Sequence, residues 1–223
     1  MKRTGADTPQ RILDAAERLF ARGGFAATSL RAITAEAGVN LAAVNYHFRS
    51  KEALIEAVFA RRLEPVNRQR FQMLEAAQAR TGRRSPPLEA ILEALAAPAL
   101  RLRGEMTDGG VSFQRLMGRI FLEPGEHAEA ILQQQLGEVA ARFRAAFEKA
   151  LPQLPPADLY WRIHFLVGAM AHTLAGTHIL PHFVGDRCDP ADVEGTIRRL
   201  VAFLAAGLRA PVRAAGRKRS RKT

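Results

Sequence analysis

Apolar residues recur along this chain at intervals of three and four, and no alternating run is long enough to argue for a strand. In "TPQRILDAAERLFARGGF", Ile12, Leu13, Ala16, Leu19 and Phe20 share one helical face. Thr8 is the expected N-cap, Pro9 takes the first helical position, and Gly23-Gly24 is the expected stop. "TSLRAITAEAG" repeats the pattern with Leu30, Ile33 and Ala37, Thr28 as N-cap and Gly38 as terminator. A third, very short helix runs from an Asn40 cap to about Tyr46, and Ser50 caps the fourth. Longer, more apolar helices follow over 51–79 with a bend at Pro65, then 86–103, 110–122, 125–150, 156–180 and 190–209. The pattern predicts an all-α protein of about nine helices: an amino-terminal three-helix unit (1–50), a larger helical body (51–210) and a tail (211–223).

Composition agrees with a folded protein, since 223 residues with 48% hydrophobic side chains suffice for a substantial core. The chain has no uncharged apolar run of about eighteen residues and no apolar stretch at its start, so a soluble cytoplasmic protein without a membrane span is expected. Cys188 is the single cysteine, which excludes an intramolecular disulfide framework and a cysteine-based zinc motif. Net charge is +11, pointing to an anionic partner, but six of those charges sit in the tail "PVRAAGRKRSRKT", which reads as disordered.

Stronger chemistry lies in "EAGVNLAAVNYHFRSKEAL", residues 36–54. Two short helices joined by a glycine turn form a helix-turn-helix pattern, with Val39 filling the angle between them. With Val44 directed inward, Ala42 and Tyr46 lie on the far side of the third helix, flanked by Ala43 and Asn45. Small outward residues admit a helix to the major groove of double-stranded DNA. Asn45 can pair with adenine N6 and N7, and Leu41, Ala42 and Ala43 are placed to touch thymine methyls. Thr28, Tyr46, His47, Arg49 and Lys51 are the candidate phosphate contacts.

Residues 10–54 closely resemble the DNA-binding domain of the TetR family of transcriptional regulators, through "ILDAAERLF", "GF" before "TSLRAI", the "AGV" turn and above all "YHF-x-SKEAL". The resemblance implies phosphate contacts by Thr28, Tyr46, His47 and Lys51, and base contacts among Leu41, Ala42, Ala43 and Asn45. Leu41 stands where the family commonly has a polar or basic residue and Asn45 where it commonly has Tyr, so no relative's operator carries over. The resemblance further implies that the body holds a small-molecule cavity and pairs two chains through its last two long helices.

The residues suggest where. His164, Gly168, Ala171, Ala175 and His178 form one stripe of the eighth helix, and Ile197, Leu200, Val201, Leu204 and Leu208 one stripe of the ninth. A twofold four-helix homodimer interface is expected from them, with packing inside one subunit as the alternative. Ligand-binding candidates are Phe59, Leu63, Phe113, Met117, Arg119, Phe165, Ala169 and His172, although such a Phe and Met pattern is more often plain core. "NLAAVNYHFRSKEALIEAVFARRLEPVN" and "GGVSFQRLMGRIFLEP" are similar to a branch of the family associated with fatty acids or acyl-CoA esters; an aromatic or other hydrophobic effector suits the same composition.

The expected activity is therefore a ligand-responsive DNA-binding regulator, a repressor released from a palindromic operator, with no metal or other cofactor. A non-sensing architectural DNA binder is one alternative, favoured by the basic tail. A metal-dependent enzyme is another, resting on His172, His178 and His182. Pro181 interrupts that turn, no carboxylate sits within the cluster, and neither a nucleophile arrangement nor a Gly-rich phosphate loop accompanies it.

Overall fold

The computed structural model describes residues 7–104, 113, 116–117, 126–176 and 179–212, the side chains of 103–104, 126–128 and 175–176 excepted. Among the described residues the chain is all-helical: α1 (Thr8–Ala27), α2 (Leu30–Ala37), α3 (Leu41–Phe48), α4 (Lys51–Thr81), α5 (Leu88–Gly104), α6 (Glu126–Ala150), α7 (Pro156–Gly176), the short α8 (Leu180–Val184) and α9 (Val193–Arg209). Of the helix expected over 110–122, only Phe113, Leu116 and Met117 are described, and all three are helical. The tail beyond residue 212 lies outside the described residues. None of the described helices is long and apolar enough to cross a membrane.

Several helix ends differ from those read off the sequence. α1 does not stop at Gly23-Gly24; Gly24 takes φ 80° and ψ 173°, and a further turn continues to Ala27. That kink lets Phe25 fold back on Phe20, ring centroids 5.4 Å apart. α2 is capped by Ser29, whose hydroxyl accepts from the Ala32 N–H at 3.1 Å, and not by Thr28. α4 passes through Pro65 without interruption, and α9 begins at Val193 behind an Asp192 cap.

Two hydrophobic cores organise the molecule. One gathers Ile12, Ala16 and Phe20 of α1, Ile33 and Ala37 of α2, Val44 of α3, Leu54 to Leu63 of α4, and Phe113, Leu116 and Ile131. The other is built from α5, α6, α7, α9 and Leu74 near the far end of α4. α4 therefore belongs to both, and its 31 residues span about 46 Å at 1.5 Å per residue.

The turn between α2 and α3 depends on a glycine. Gly38 sits at φ 61° and ψ 43°, which lets the Val39 N–H reach Thr34 O at 3.0 Å and its own N–H reach Ala35 O at 3.2 Å, a Schellman closure. Arg11 of α1 donates to the carbonyls of Ala37 and Gly38, so a Cβ at position 38 would lie 2.9 Å from its Nη2. Gly38→Ala is expected to cost about 1–2 kcal/mol for the left-handed backbone alone. Urea denaturation followed by circular dichroism checks it, and an unchanged midpoint would contradict it.

Candidate nucleic-acid interface and ligand cavity

α3 is aimed outward by a short chain of capping bonds. Asn40 accepts from Ala43 N at 2.9 Å to start it, and Arg49, at φ 64°, ends it with its N–H on Asn45 O at 3.0 Å. Ser50 then starts α4 by accepting from Ala53 N at 3.0 Å. Val44 is buried and Phe48 half-buried, so the side of α3 expected to face inward does so.

Ala42, Asn45 and Tyr46 on the outer side are exposed, Tyr46 by 83%, and so are Leu41 and His47 at its edges. The Tyr46 and His47 rings meet edge to face at 5.0 Å. Arg49 is exposed beside them, and Lys51 leans back so that Nζ donates to Ala26 O at 3.5 Å, at the limit of a hydrogen bond. An exposed helix of this width, rimmed by phenol, imidazole and two cations, matches a DNA major groove flanked by phosphates.

Two expected contacts are placed differently. Thr28 is buried, and its hydroxyl donates to Gly24 O at 2.8 Å, closing the kink of α1. Its side chain is turned from the surface, and exposed Ser29 takes the capping position beside it. Ala43 is half-buried against the amino-terminal core, leaving Leu41, Ala42 and Asn45 as the outward residues among the four base-contact candidates.

In the body, α6 and α7 each lean on α5, and between them lies a cavity of about 680 Å³. Leu63, Phe113 and Met117 line it as expected, joined by Val66, Leu136, Phe143, Leu166 and Met170. Exposed Gln133, Arg144, Tyr160 and Val167 also belong to the wall, so it opens to solvent between α6 and α7.

The remaining ligand candidates lie elsewhere. Phe59 is fully buried in the amino-terminal core, its ring 6.1 Å from Phe25 and 5.9 Å from Phe113. Phe165 and His172 stand on the outer face of α7, exposed because the helix turns Leu166 and Met170 inward instead. Ala169 packs half-buried against the carboxy-terminal core, and Arg119 lies outside the described residues. Among the described residues no group of three metal-ligating side chains forms, and His172 and His182 are exposed; His178 is not described.

The expected dimer stripe divides in two. His164 and Gly168 are exposed, whereas Ala171 is half-buried and lines the cavity; the Ala175 side chain is not described. Ile197, Leu200 and Leu204 are buried in the subunit's own core, because α9 lays that face on α5. The outer faces of α7 and α9 carry Trp161, Phe165 and Phe203, each more than 60% exposed. Arg162 binds these two helices by donating to the carbonyls of Leu208 at 2.7 Å and Ala210 at 2.6 Å.

Among the cavity residues that the sequence reading missed, Arg70 is the charged one that is buried. Arg70 is 6% exposed and lines the cavity wall, on the same stripe of α4 as Leu63, Val66 and Leu74. A basic residue at a core position of an apolar stripe was the available signal.

Comparison with known proteins gives two family matches along the chain. Residues 12–58 match the family described as bacterial regulatory proteins, tetR family, and residues 93–207, more than half of the chain, match the tetracyclin repressor-like C-terminal domain. The HTH-type regulator YerO of Bacillus subtilis is 48% identical over 46 residues, which are 21% of this chain and 16% of YerO. The nicotine-responsive repressor HdnoR of Paenarthrobacter nicotinovorans is 38% identical over 68 residues, 30% of this chain and 35% of HdnoR. These alignments thus span well under half of those curated relatives. Among solved structures, the fatty acid degradation regulator FadR of Bacillus halodurans superposes with a TM-score of 0.61 over 95% of this chain and 100% of that one, at 14% identity, a likeness of fold alone. With family matches over both the helix-turn-helix unit and the helical body, the chain belongs to the TetR family of bacterial transcriptional regulators, a family of DNA-binding proteins and not of enzymes.

Proposed function

We propose that this regulator is a homodimeric repressor whose hold on a palindromic operator is released when a hydrophobic small molecule fills the cavity of its body. The observation that carries the reading is α4: its first residues follow directly from the recognition helix, and Leu63, Val66 and Arg70 further along it form part of the cavity wall. A ligand that displaces this wall acts on the DNA-reading unit through one continuous helix.

The outer faces of α7 and α9 are the surface best suited to pairing two chains, since Trp161, Phe165 and Phe203 expose apolar rings beside His164 and Gly168. Two recognition helices must then stand about 34 Å apart to enter successive major grooves, and a small swing of α4 in each subunit spoils that spacing. The ligand's leverage equals its differential affinity for the two arrangements. A cavity of about 680 Å³ with a mostly apolar wall is in the size range of drug-like and cofactor sites. The names of HdnoR and FadR associate those proteins with nicotine and fatty acid degradation, and a fatty acid or acyl-CoA ester is the class proposed here.

DNA fragments selected from a random library by the full-length protein provide the test. Fluorescence anisotropy should show binding weakened by about tenfold or more at saturating dodecanoate or dodecanoyl-CoA, a shift of about 1.4 kcal/mol. Unchanged affinity with ligand demonstrably bound would refute release as the mechanism.

A further inference from the structure

We propose that Arg70 is the counter-charge for a carboxylate, so that the cavity takes an amphipathic acid head first, with its apolar chain directed toward the opening between α6 and α7. This rests on the cavity being the effector site and goes beyond it by specifying the ligand's charge and orientation.

Two neutral contacts fix the guanidinium without neutralising it, and a third bond anchors one of its partners. Arg70 Nε donates to Leu95 O at 2.8 Å and Nη1 to Asn67 Oδ1 at 3.0 Å, while Asn67 Nδ2 donates to Gln135 O at 2.8 Å. The group is thereby held between α4, α5 and α6. Guanidinium has five N–H donors, and these bonds use two. Among the described residues no carboxylate forms an ion pair with it, and the other three donors find no acceptor. Elsewhere the chain pairs its buried charge: Glu17 is held by both Arg61 and Arg62.

Leaving a cation unpaired in an apolar wall is costly, because most of its hydration is lost and no opposite charge replaces it. Burial pulls the Arg70 pKa down to about 10, so the group is still cationic at neutral pH. The neighbouring wall of Leu63, Val66, Leu95, Phe143, Leu166 and Met170 offers an alkyl chain apolar contact only. A carboxylate at the guanidinium restores the missing charge and acceptors together, in a bidentate geometry. An acyl-CoA ester presents a methyl terminus to the buried end and leaves Arg70 as it was. The free acid is therefore the class selected.

The test measures binding of dodecanoate, methyl dodecanoate and dodecan-1-ol to full-length protein by isothermal titration calorimetry below their aggregation limits. Wild type should prefer dodecanoate over both uncharged analogues by about 30-fold or more, in line with the strength of charge-assisted hydrogen bonds. Arg70→Met should weaken dodecanoate by a similar factor and leave dodecan-1-ol within about threefold, while Arg70→Lys should keep part of the preference. The comparison of analogues on wild type needs no variant, so a misfolded Arg70→Met would not blunt it. Equal binding of acid and alcohol to wild type overturns the inference and leaves the cavity as an effector site. A preference for the acid that survives in folded Arg70→Met also overturns it. Binding of none of the three refutes it together with the fatty-acid reading of the cavity.

Discussion

Glu17→Ala is expected to cost about 3–5 kcal/mol of unfolding free energy, the usual penalty for breaking a buried ion pair from one side. Glu17 is 1% exposed on α1, and its carboxylate accepts from Arg61 Nη2 at 2.5 Å and from Arg62 Nε and Nη2 at 3.0 Å each. Both arginines belong to α4, so one carboxylate fastens the first helix of the DNA-reading unit to the helix that reaches the cavity. Removing it leaves two guanidinium groups facing a small void; Arg61 keeps Asp14, at 2.7 Å, but its Nε already has no partner among the described residues. Arg18 and Glu36 form the control, because both are over one-third exposed and their 3.1 Å pair is screened by water. Glu36→Ala should cost less than about 1 kcal/mol. Denaturation in urea measures both, and similar costs for the two variants would show that burial of Glu17 is not what gives the clamp its strength.

Asn45→Ala should lower affinity for the selected operator by about 1–3 kcal/mol while leaving binding to random DNA nearly unchanged. The reason is the poverty of the rest of the outward face of α3: Leu41 and Ala42 offer only apolar contact, and Ala43 is turned toward the core. Asn45 is exposed on that face, and its amide is the group able to form a bidentate pair with adenine. Lys51→Ala should behave oppositely, weakening every sequence alike and reducing the salt dependence by about one counterion. Anisotropy titrations on operator and scrambled duplexes at several salt concentrations separate the two. Equal losses on both duplexes for Asn45→Ala would assign the discrimination to DNA shape instead.

How much of this was legible in the sequence differs between the two ends of the molecule. The recognition unit was legible because its geometry is local: Gly38 sets a turn, Asn40 and Ser50 cap the helices they precede, and Val44 faces inward by period alone. Its errors were errors of one side chain's direction, as at Thr28, where the kink at Gly24 brings a carbonyl within reach of the hydroxyl. In the body, periodicity identified the apolar stripe of α9 but not its partner. Ile197, Leu200 and Leu204 satisfy the same pattern whether they meet α5 or a second chain, and α5 occupies them.

Arg70 makes the same point for the cavity. In "VNRQRFQML" the helical period sets Arg70 on the stripe of Val66 and Leu74 and Arg68 off it, and Arg68 is exposed, but nothing in that period shows that a cavity opens at Arg70. By itself the sequence determined the helices, the turn that makes them a DNA reader, and hence the family, because hydrogen bonds and side-chain period within a few residues decide those. Which faces meet, which stay bare and which charge is left unpaired in an apolar wall were decided by the tertiary structure alone, since each depends on neighbours tens of residues away.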